Sequence, residues 1–274
     1  MAAEAEQNPA SLWLRADLEE PQSVRLPGGD AVVFALGHDP GSNQDAVCVA
    51  ALDDHRALLA VADGAGGQAA GGKASEIAVR RVLSEAHAAI ARDGAVSAGI
   101  LAGFDAANRA ILELGVGAAS TLAVIEIEDR VARSYHAGDS AVLVTGQRGR
   151  LKLLTIAHSP VGYAQEAGVL TEQEALHHED RHVVSNMLGT SEMRIEVGPA
   201  VTLAPRDTLV LGSDGLFDNL TVDEVAECVR KGPLARAAAR LAGRALQRME
   251  GPAPDLPSKP DDLGFLLYRP GGSE

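Results

Sequence analysis

No apolar run in this 274-residue chain approaches the roughly 20 residues that a helix needs to cross a bilayer. Cysteine is nearly absent. Cys48 and Cys228 stand far apart without metal-type spacing, which argues against a disulfide scaffold and for a reduced compartment. Basic residues are outnumbered, 24 against 38 acidic, and the formal charge of −14 speaks against nucleic acid or an anionic membrane as the main partner. Residues 1–15 carry acids and no long apolar core, so no signal peptide is read and a cytoplasmic protein is expected. What is plentiful is aliphatic: 46% hydrophobic with 23% charged residues, the balance of a globular chain with one large or two small domains.

The most informative stretch is 58–75, an apolar run that delivers Asp63 into a bed of glycines before a helical pattern begins. An unalternating Leu/Val/Ala run reads as a buried strand, and a carboxylate at its end is a charge held on a rigid stalk. A plain strand-to-helix turn accounts for Asp and Gly there. Three functional readings stand beside it. Gly67-x-x-x-x-Gly72-Lys73 has the outline of a phosphate-binding loop, but Ala74 occupies the position that needs Ser or Thr, and Ser75 comes one residue late. Gly64-x-Gly66-x-x-Ala69 is a loose dinucleotide fingerprint, yet Glu85, about 20 residues on, falls inside the helical pattern. The third reading is a metal site on Asp63, which requires further aspartates at strand ends.

In chain order, residues 1–30 are polar and broken by Pro and Gly, with Trp13 and Leu14 as an edge segment. Residues 31–36, 46–52 and 57–62 read as strands, the last two a hairpin that sets Asp45 beside Asp63. Two helices follow, striped by Val79, Leu83, Ala86 and Ile90, then by Ile100, Phe104, Ala107, Ile111 and Leu114. Residues 120–127 and 131–137 form a second hairpin ending in Gly138-Asp139-Ser140, and 141–145 with 151–155 a third. Residues 158–190 are polar and His-rich, with Thr171-x-x-Glu174 as a capping box. A strand is expected over 194–203 and another over 208–213, running into Asp214-Gly215. Thr221-x-x-Glu224 caps a helix, Leu234, Ala238, Leu241, Ala245 and Met249 stripe the next, and a Pro-rich loop leads through Asp261-Asp262 to a last strand over 263–268. Hairpins with paired helices between them predict an α+β fold with antiparallel sheets, not β-α-β alternation. That order weakens both nucleotide readings.

Asp63, Asp139 and Asp214 follow apolar runs, while Asp45 and Asp261 precede them. Each alone is an ordinary turn residue. Five can converge on one rim, where carboxylates repel unless cations neutralise them. Oxygen ligands with water select magnesium or manganese. Zinc is not expected, because no i, i+4 histidine pair lies near the aspartates.

These pieces, in order, resemble the metal-dependent serine/threonine protein phosphatases of type 2C, the PPM family, in its compact bacterial form. The matching residues are Asn43-Gln44-Asp45, Asp63-Gly64-Ala65-Gly66-Gly67, Ser120-Thr121-Leu122, His136-Ala137-Gly138-Asp139-Ser140, His158-Ser159, Gly168-Val169-Leu170-Thr171-Glu172, Leu188-Gly189, Ser213-Asp214-Gly215-Leu216-Phe217-Asp218 and Pro260-Asp261-Asp262. The resemblance implies a single phosphatase-type domain over 1–274, with a core at about 30–269 and a flap at 158–190. Its fold would be two packed antiparallel β-sheets flanked by helix pairs, a four-layer αββα sandwich. It implies hydrolysis of phosphoserine and phosphothreonine on proteins by water activated between two Mn²⁺ or Mg²⁺ ions, about 3.5–4 Å apart. Asp63 would bridge the ions, Gly64 would lend its carbonyl, Asp214 and Asp261 would hold one ion, and Asp45 would reach the other through water. Asp139, with Asp214, would take a third and weaker ion. A phosphoprotein substrate and a cognate Ser/Thr kinase are the implied partners.

Three positions depart from the family. Pro40 stands where an arginine usually grips the phosphate, Ala141 where an arginine often follows Gly-Asp-Ser, and Asp262 where an asparagine is common. Ala65 also takes the place of a histidine frequent in eukaryotic members. His38, Lys73 and Arg181 are the candidates to replace the missing phosphate clamp. The alternative is a weakly active or inactive phosphatase-like domain that binds a phosphoprotein or a regulatory partner. Pro40 supports it, and intact Asp63, Asp214 and Asp261 oppose it.

Overall fold

The computed structural model describes residues 10–271 except 93, 172, 173, 176 and 252–255. One antiparallel sheet has the order β1 (Ala10–Leu14), β4 (Ala46–Ala51), β5 (Arg56–Ala62), β8 (Leu122–Glu128), β9 (Val131–Ala137) and β12 (Glu196–Val197), with β13 (Val201–Thr202) also on β9. The other has the order β11 (Leu151–Leu154), β10 (Ala141–Thr145), β14 (Thr208–Gly212), β15 (Leu263–Pro270), β3 (Gly29–Leu36) and β2 (Gln22–Leu26). β6 (Gly64–Ala65) and β7 (Ala119–Ser120) pair separately. The helices are α1 (Gln68–Ala91), α2 (Val96–Leu112), α3 (Pro160–Glu166), α4 (Asp214–Phe217), α5 (Val222–Val229) and α6 (Leu234–Glu250).

β5 explains the unbroken apolar runs. Side chains alternate across a strand, and both faces of this one are covered. Leu58, Ala60 and Ala62 pack with Val79, Val82 and Ala86 of α1 and with Ile100 and Phe104 of α2. Leu59 and Val61 pack against Val33, Val142, Leu211 and Leu266 of the second sheet. That sheet's outer face, through Phe34, Val210, Phe265 and Leu267, receives Val225 and Val229 of α5 and Leu241 and Ala245 of α6. Helix pair, sheet, sheet and helix pair make the four-layer αββα sandwich that the resemblance implies.

The N-terminal edge segment is β1, which pairs Trp13 with Val47 and Leu14 with Ala46. Residues 194–203 are not the single strand expected. They form β12 and β13, both on β9, with Gly198-Pro199 between them. Pro199 cannot donate to a ladder, and a Cβ on Gly198 would lie 2.2 Å from Ser134 Oγ. β2, α3 and α4 were not expected. Within the segment 158–190, Thr171 and Glu174 form the reciprocal bonds of the capping box, while Glu172 and residues 252–255 of the Pro-rich loop lie outside the described residues. Among the described residues, no helix is long and apolar enough to cross a membrane.

Candidate metal centre

Strand register gathers the aspartates. Ala46 pairs with Ala62 in the β4–β5 ladder, so Asp45 and Asp63 stand side by side just beyond it. Gly212 pairs with Phe265 and Leu263 with Leu36, which puts Asp214 and Asp261 at the same end of the second sheet. Asp139 lies in the short link from β9 to β10, where the chain passes between sheets.

The neighbouring motif residues fix these positions. Asp63 N donates to Thr121 Oγ1 at 3.0 Å, and Asp63 O accepts from Thr121 N at 2.8 Å and Ser120 Oγ at 2.9 Å. Thr121 Oγ1 also meets Ser140 Oγ at 2.6 Å. Asp45 N donates to Asn43 Oδ1 at 2.9 Å, and Ser213 Oγ donates to Asp45 Oδ2 at 2.7 Å. Close approach demands glycine at two positions. A Cβ on Gly264 would stand 2.5 Å from Asp45 Oδ2, and one on Gly215 would stand 1.8 Å from Asp262 O. Asp262, unlike the other acids, is spent on structure: His38 N donates to its Oδ1 at 2.8 Å and Gln44 N to its Oδ2 at 2.7 Å.

The cluster is electrostatically costly as it stands. Burial, then the neighbouring carboxylates, push the carboxyls of Asp45 and Asp63 well above the usual range. Burial and Asp139 raise Asp214 to about 7, and burial and Asp218 raise Asp139 to about 6. Asp45 Oδ1 and Asp139 Oδ1 are buried with no hydrogen-bond partner among the described residues. Orphaned oxygens among mutually repelling carboxylates fit hard divalent cations held by oxygen alone. One positive group already reaches the rim, and it was not expected. Lys259 Nζ lies against Asp214 Oδ2, 2.7 Å from Asp261 Oδ2 and 3.6 Å from Asp218 Oδ2.

The tightest grouping of metal-type ligand atoms among the described residues lies elsewhere: His136, His158 and Glu196, within 4.8 Å of one another. Proton placement argues against an ion there. Gly138 N, a backbone donor, points to His158 Nδ1 at 3.1 Å, so Nδ1 accepts and the proton sits on Nε2. His158 Nε2 then donates to Glu196 Oε2 at 3.2 Å and has no lone pair to offer. His136 Nε2 is engaged by Ile156 O at 2.9 Å, and the rings stack at 4.4 Å. The group holds His158 in place at the start of the segment 158–190.

The family model for protein phosphatase 2C matches residues 38–249, which spans the aspartates at 45, 63, 139 and 214. The chain belongs to the protein phosphatase 2C family. Protein phosphatase PhpP of Streptococcus pneumoniae is 32% identical over 209 residues, 73% of this chain and 84% of that protein. A putative 2C-type phosphatase of Streptococcus pyogenes is 29% identical over 197 residues, 69% and 79% of the two chains. The serine/threonine phosphatase of S. agalactiae superposes with a TM-score of 0.70 at 25% identity, covering 95% of this chain and 99% of its own. The catalytic domain of PstP, solved with two manganese ions, shares the fold at 0.66 and 23% identity, covering 96% and 99%. Membership makes this protein a metal-dependent protein phosphatase, a hydrolase.

Beside the phosphatase rim lies a cavity of about 590 Å³, lined by Asp139, Asp214, Asp218, Arg181 and apolar residues such as Leu154 and Phe217. Of the three candidates for gripping phosphate, the structure brings Arg181 to this cavity, with its Nη2 on Ser258 O at 2.9 Å. Lys73 pairs instead with Glu76 at 3.3 Å on α1. His38 is an exposed residue of the loop that Asp262 holds by its backbone.

Proposed function

We propose that the protein removes phosphate from phosphoserine and phosphothreonine side chains, using two Mn²⁺ or Mg²⁺ ions at the aspartate rim. Residues 30–269 serve as the catalytic core of one domain and residues 158–190 as its flap. Asp63, the Gly64 carbonyl, Asp214, Asp261 and, through water, Asp45 would hold the two ions, and Asp139 with Asp214 is where a third would have to bind. The ions, when bound, supply a water of lowered pKa and positive charge against the phosphoryl oxygens. The chain's own share is placement. Ser120 and Thr121 hold the main chain of Asp63 and Ser213 holds the Asp45 carboxylate, so charge is organised before substrate arrives. The cavity beside Asp214, with Arg181 on its wall, is where the phosphorylated segment is received. A kinase that installs these phosphates is the implied partner, and a compartment that holds ATP, the cytoplasm, the implied location.

The observation that carries this reading is the crowded, mutually repelling set of buried Asp45 and half-buried Asp63, Asp139 and Asp214, with oxygens of Asp45 and Asp139 left orphaned. Such a set is a poor scaffold and a good cation site. No observation favours a binding-only domain. The test is hydrolysis of a phosphothreonine peptide with and without Mn²⁺. Activity is expected to vanish in excess chelator and to fall by about a hundred- to a thousandfold in Asp63→Asn and Asp214→Asn, the scale of losing one preorganised electrostatic group. Full turnover in chelator, or in either variant, would refute the assignment.

A further inference from the structure

Lys259 stands on the oxygens that one core ion would need. Its ammonium lies against Asp214 Oδ2 and 2.7 Å from Asp261 Oδ2, the pair that would hold one of the two ions between them. Asp261 has little else to offer a cation. Its Oδ1 accepts from Asp262 N at 2.9 Å, so Oδ2 is the oxygen left for an ion. The lysine is delivered there by a fixed backbone. Asn219, fully buried, grips its main chain from both sides: Lys259 N donates to Asn219 Oδ1 at 2.8 Å, and Asn219 Nδ2 donates to Lys259 O at 2.8 Å. The same Asn219 Nδ2 reaches Gly215 O at 2.8 Å, which ties the lysine to α4, the short helix that opens with Asp214. Pro260 disfavours a helical turn at Lys259, and Lys259 and Asp261, two residues apart, meet on one side of the chain. A third carboxylate is close by. Asp218 Oδ2 lies 3.6 Å from the ammonium and is also met by His182 Nδ1 at 3.1 Å.

We propose that Lys259 is a tethered competitor of one core ion: Mn²⁺ or Mg²⁺ takes Asp214 and Asp261 only as the ammonium gives them up and moves over to Asp218. The inference rests on the two-ion reading and says what sets the strength of metal binding in it. A magnesium-like ion draws its oxygens to about 2.0–2.1 Å, and a second cation on the same two oxygens is repelled. The two therefore exclude one another. Asp218, which neither core ion requires, gives the displaced charge a seat at the same rim, so no carboxylate is left unpaired in the exchange. A tethered competitor leaves the number of ions as it is and lowers their affinity. The protein then responds to metal only above a threshold that Lys259 sets.

Mn²⁺ affinity, measured by isothermal titration on the full-length protein without substrate, tests this apart from turnover. Lys259→Met should bind Mn²⁺ about ten- to a hundredfold more tightly than the wild type, the worth of charge-assisted contacts that no longer have to be broken. The number of ions per chain should not change. Loss of a nearby positive charge would by itself act in the same direction, and Asp218→Asn separates the two causes. With Asp218 as the seat of the displaced ammonium, Asp218→Asn weakens Mn²⁺ binding several-fold in the wild type and hardly at all in Lys259→Met. An equal loss in both backgrounds would overturn the proposal, and so would equal affinities in wild type and a folded Lys259→Met. A crystal of the wild type grown with Mn²⁺ should show the ammonium off both Oδ2 atoms and on Asp218. An ammonium still bridging Asp214 and Asp261 beside two bound ions would overturn the proposal whether or not any variant folds. The two-ion reading is judged separately: no Mn²⁺ bound by either form would refute it and the competitor with it, while two ions bound equally well by both forms would keep it and overturn only the role of Lys259.

Discussion

Pro40 and Asp262 belong together. The loop that carries Pro40 is tied down by four backbone amides: Gly37 N and Gly41 N on the Asp17 carboxylate, His38 N and Gln44 N on Asp262. Each oxygen of Asp262 accepts one of them. An asparagine there would turn an NH₂ group toward an N–H, so the carboxylate suits this loop where the family's usual amide does not. Because the loop does not depend on the Pro40 ring for its position, Pro40→Arg is a clean test of the missing phosphate clamp. A charge-assisted contact of about 1.5–3 kcal/mol corresponds to a KM for a small aryl phosphate roughly 10- to 100-fold lower, with kcat little changed. An unchanged KM in a metal-loaded variant would show that the phosphate is already gripped, and an alanine at Arg181 would then be the next measurement. The aspartates themselves were legible in the sequence, since each borders an apolar run whose end the pattern marks. Lys259, Asp218 and Asn219 gave no such signal. A long flexible side chain goes where tertiary structure sends it, and Asn219 grips a backbone some 40 residues further along the chain.

Elements whose periodicity is strong were the ones the sequence disclosed. β5 shows both faces buried, and Thr221 and Glu224 close their capping box on α5 as their spacing predicts. Elements that lean on others were not disclosed. β2 is a polar edge, α4 is a single turn beyond a strand, and α3 opens on the cap of Ser159, whose Oγ accepts from Gly162 N at 2.9 Å, inside a stretch with no apolar period. Glu224 does a second task beyond capping. Its Oε1 takes Arg244 Nη2 at 2.6 Å and Arg248 Nη2 at 2.8 Å, joining α5 to α6. Burial alone would raise its carboxyl, but the Thr221 amide and the two guanidiniums outweigh that and hold it below the usual 4.5. A depressed carboxyl stabilises fully above its unfolded value and loses that contribution as pH falls through the folded one. Glu224→Gln should therefore cost about 2 kcal/mol at pH 7, within the range for charge-assisted hydrogen bonds. Urea titrations should show the gap to wild type closing below about pH 4. A gap that stays constant with pH would assign the role of Glu224 to capping alone.

At the scale of the whole molecule, the acid rim makes folding and cation binding one equilibrium. A ligand that binds only the folded chain at a hundred times its Kd adds about 2.7 kcal/mol, which for a domain of this size raises Tm by roughly 5–10 °C. Thermal melts in Mn²⁺ against chelator should show that rise in the wild type and lose most of it in Asp63→Asn. An equal rise in the variant would mean that the ion merely screens a chain of formal charge −14.

Asp45 and Asp63 ride on one sheet, while Asp214 and Asp261 ride on the other. The distance across the rim is therefore set by how thickly Val33, Leu59, Val61, Val142 and Leu211 fill the space between the layers. That packing is the ruler of the chemistry. A methyl group gained or lost far inside the sandwich resets the gauge at its edge, and catalysis can be detuned from a place no substrate ever visits.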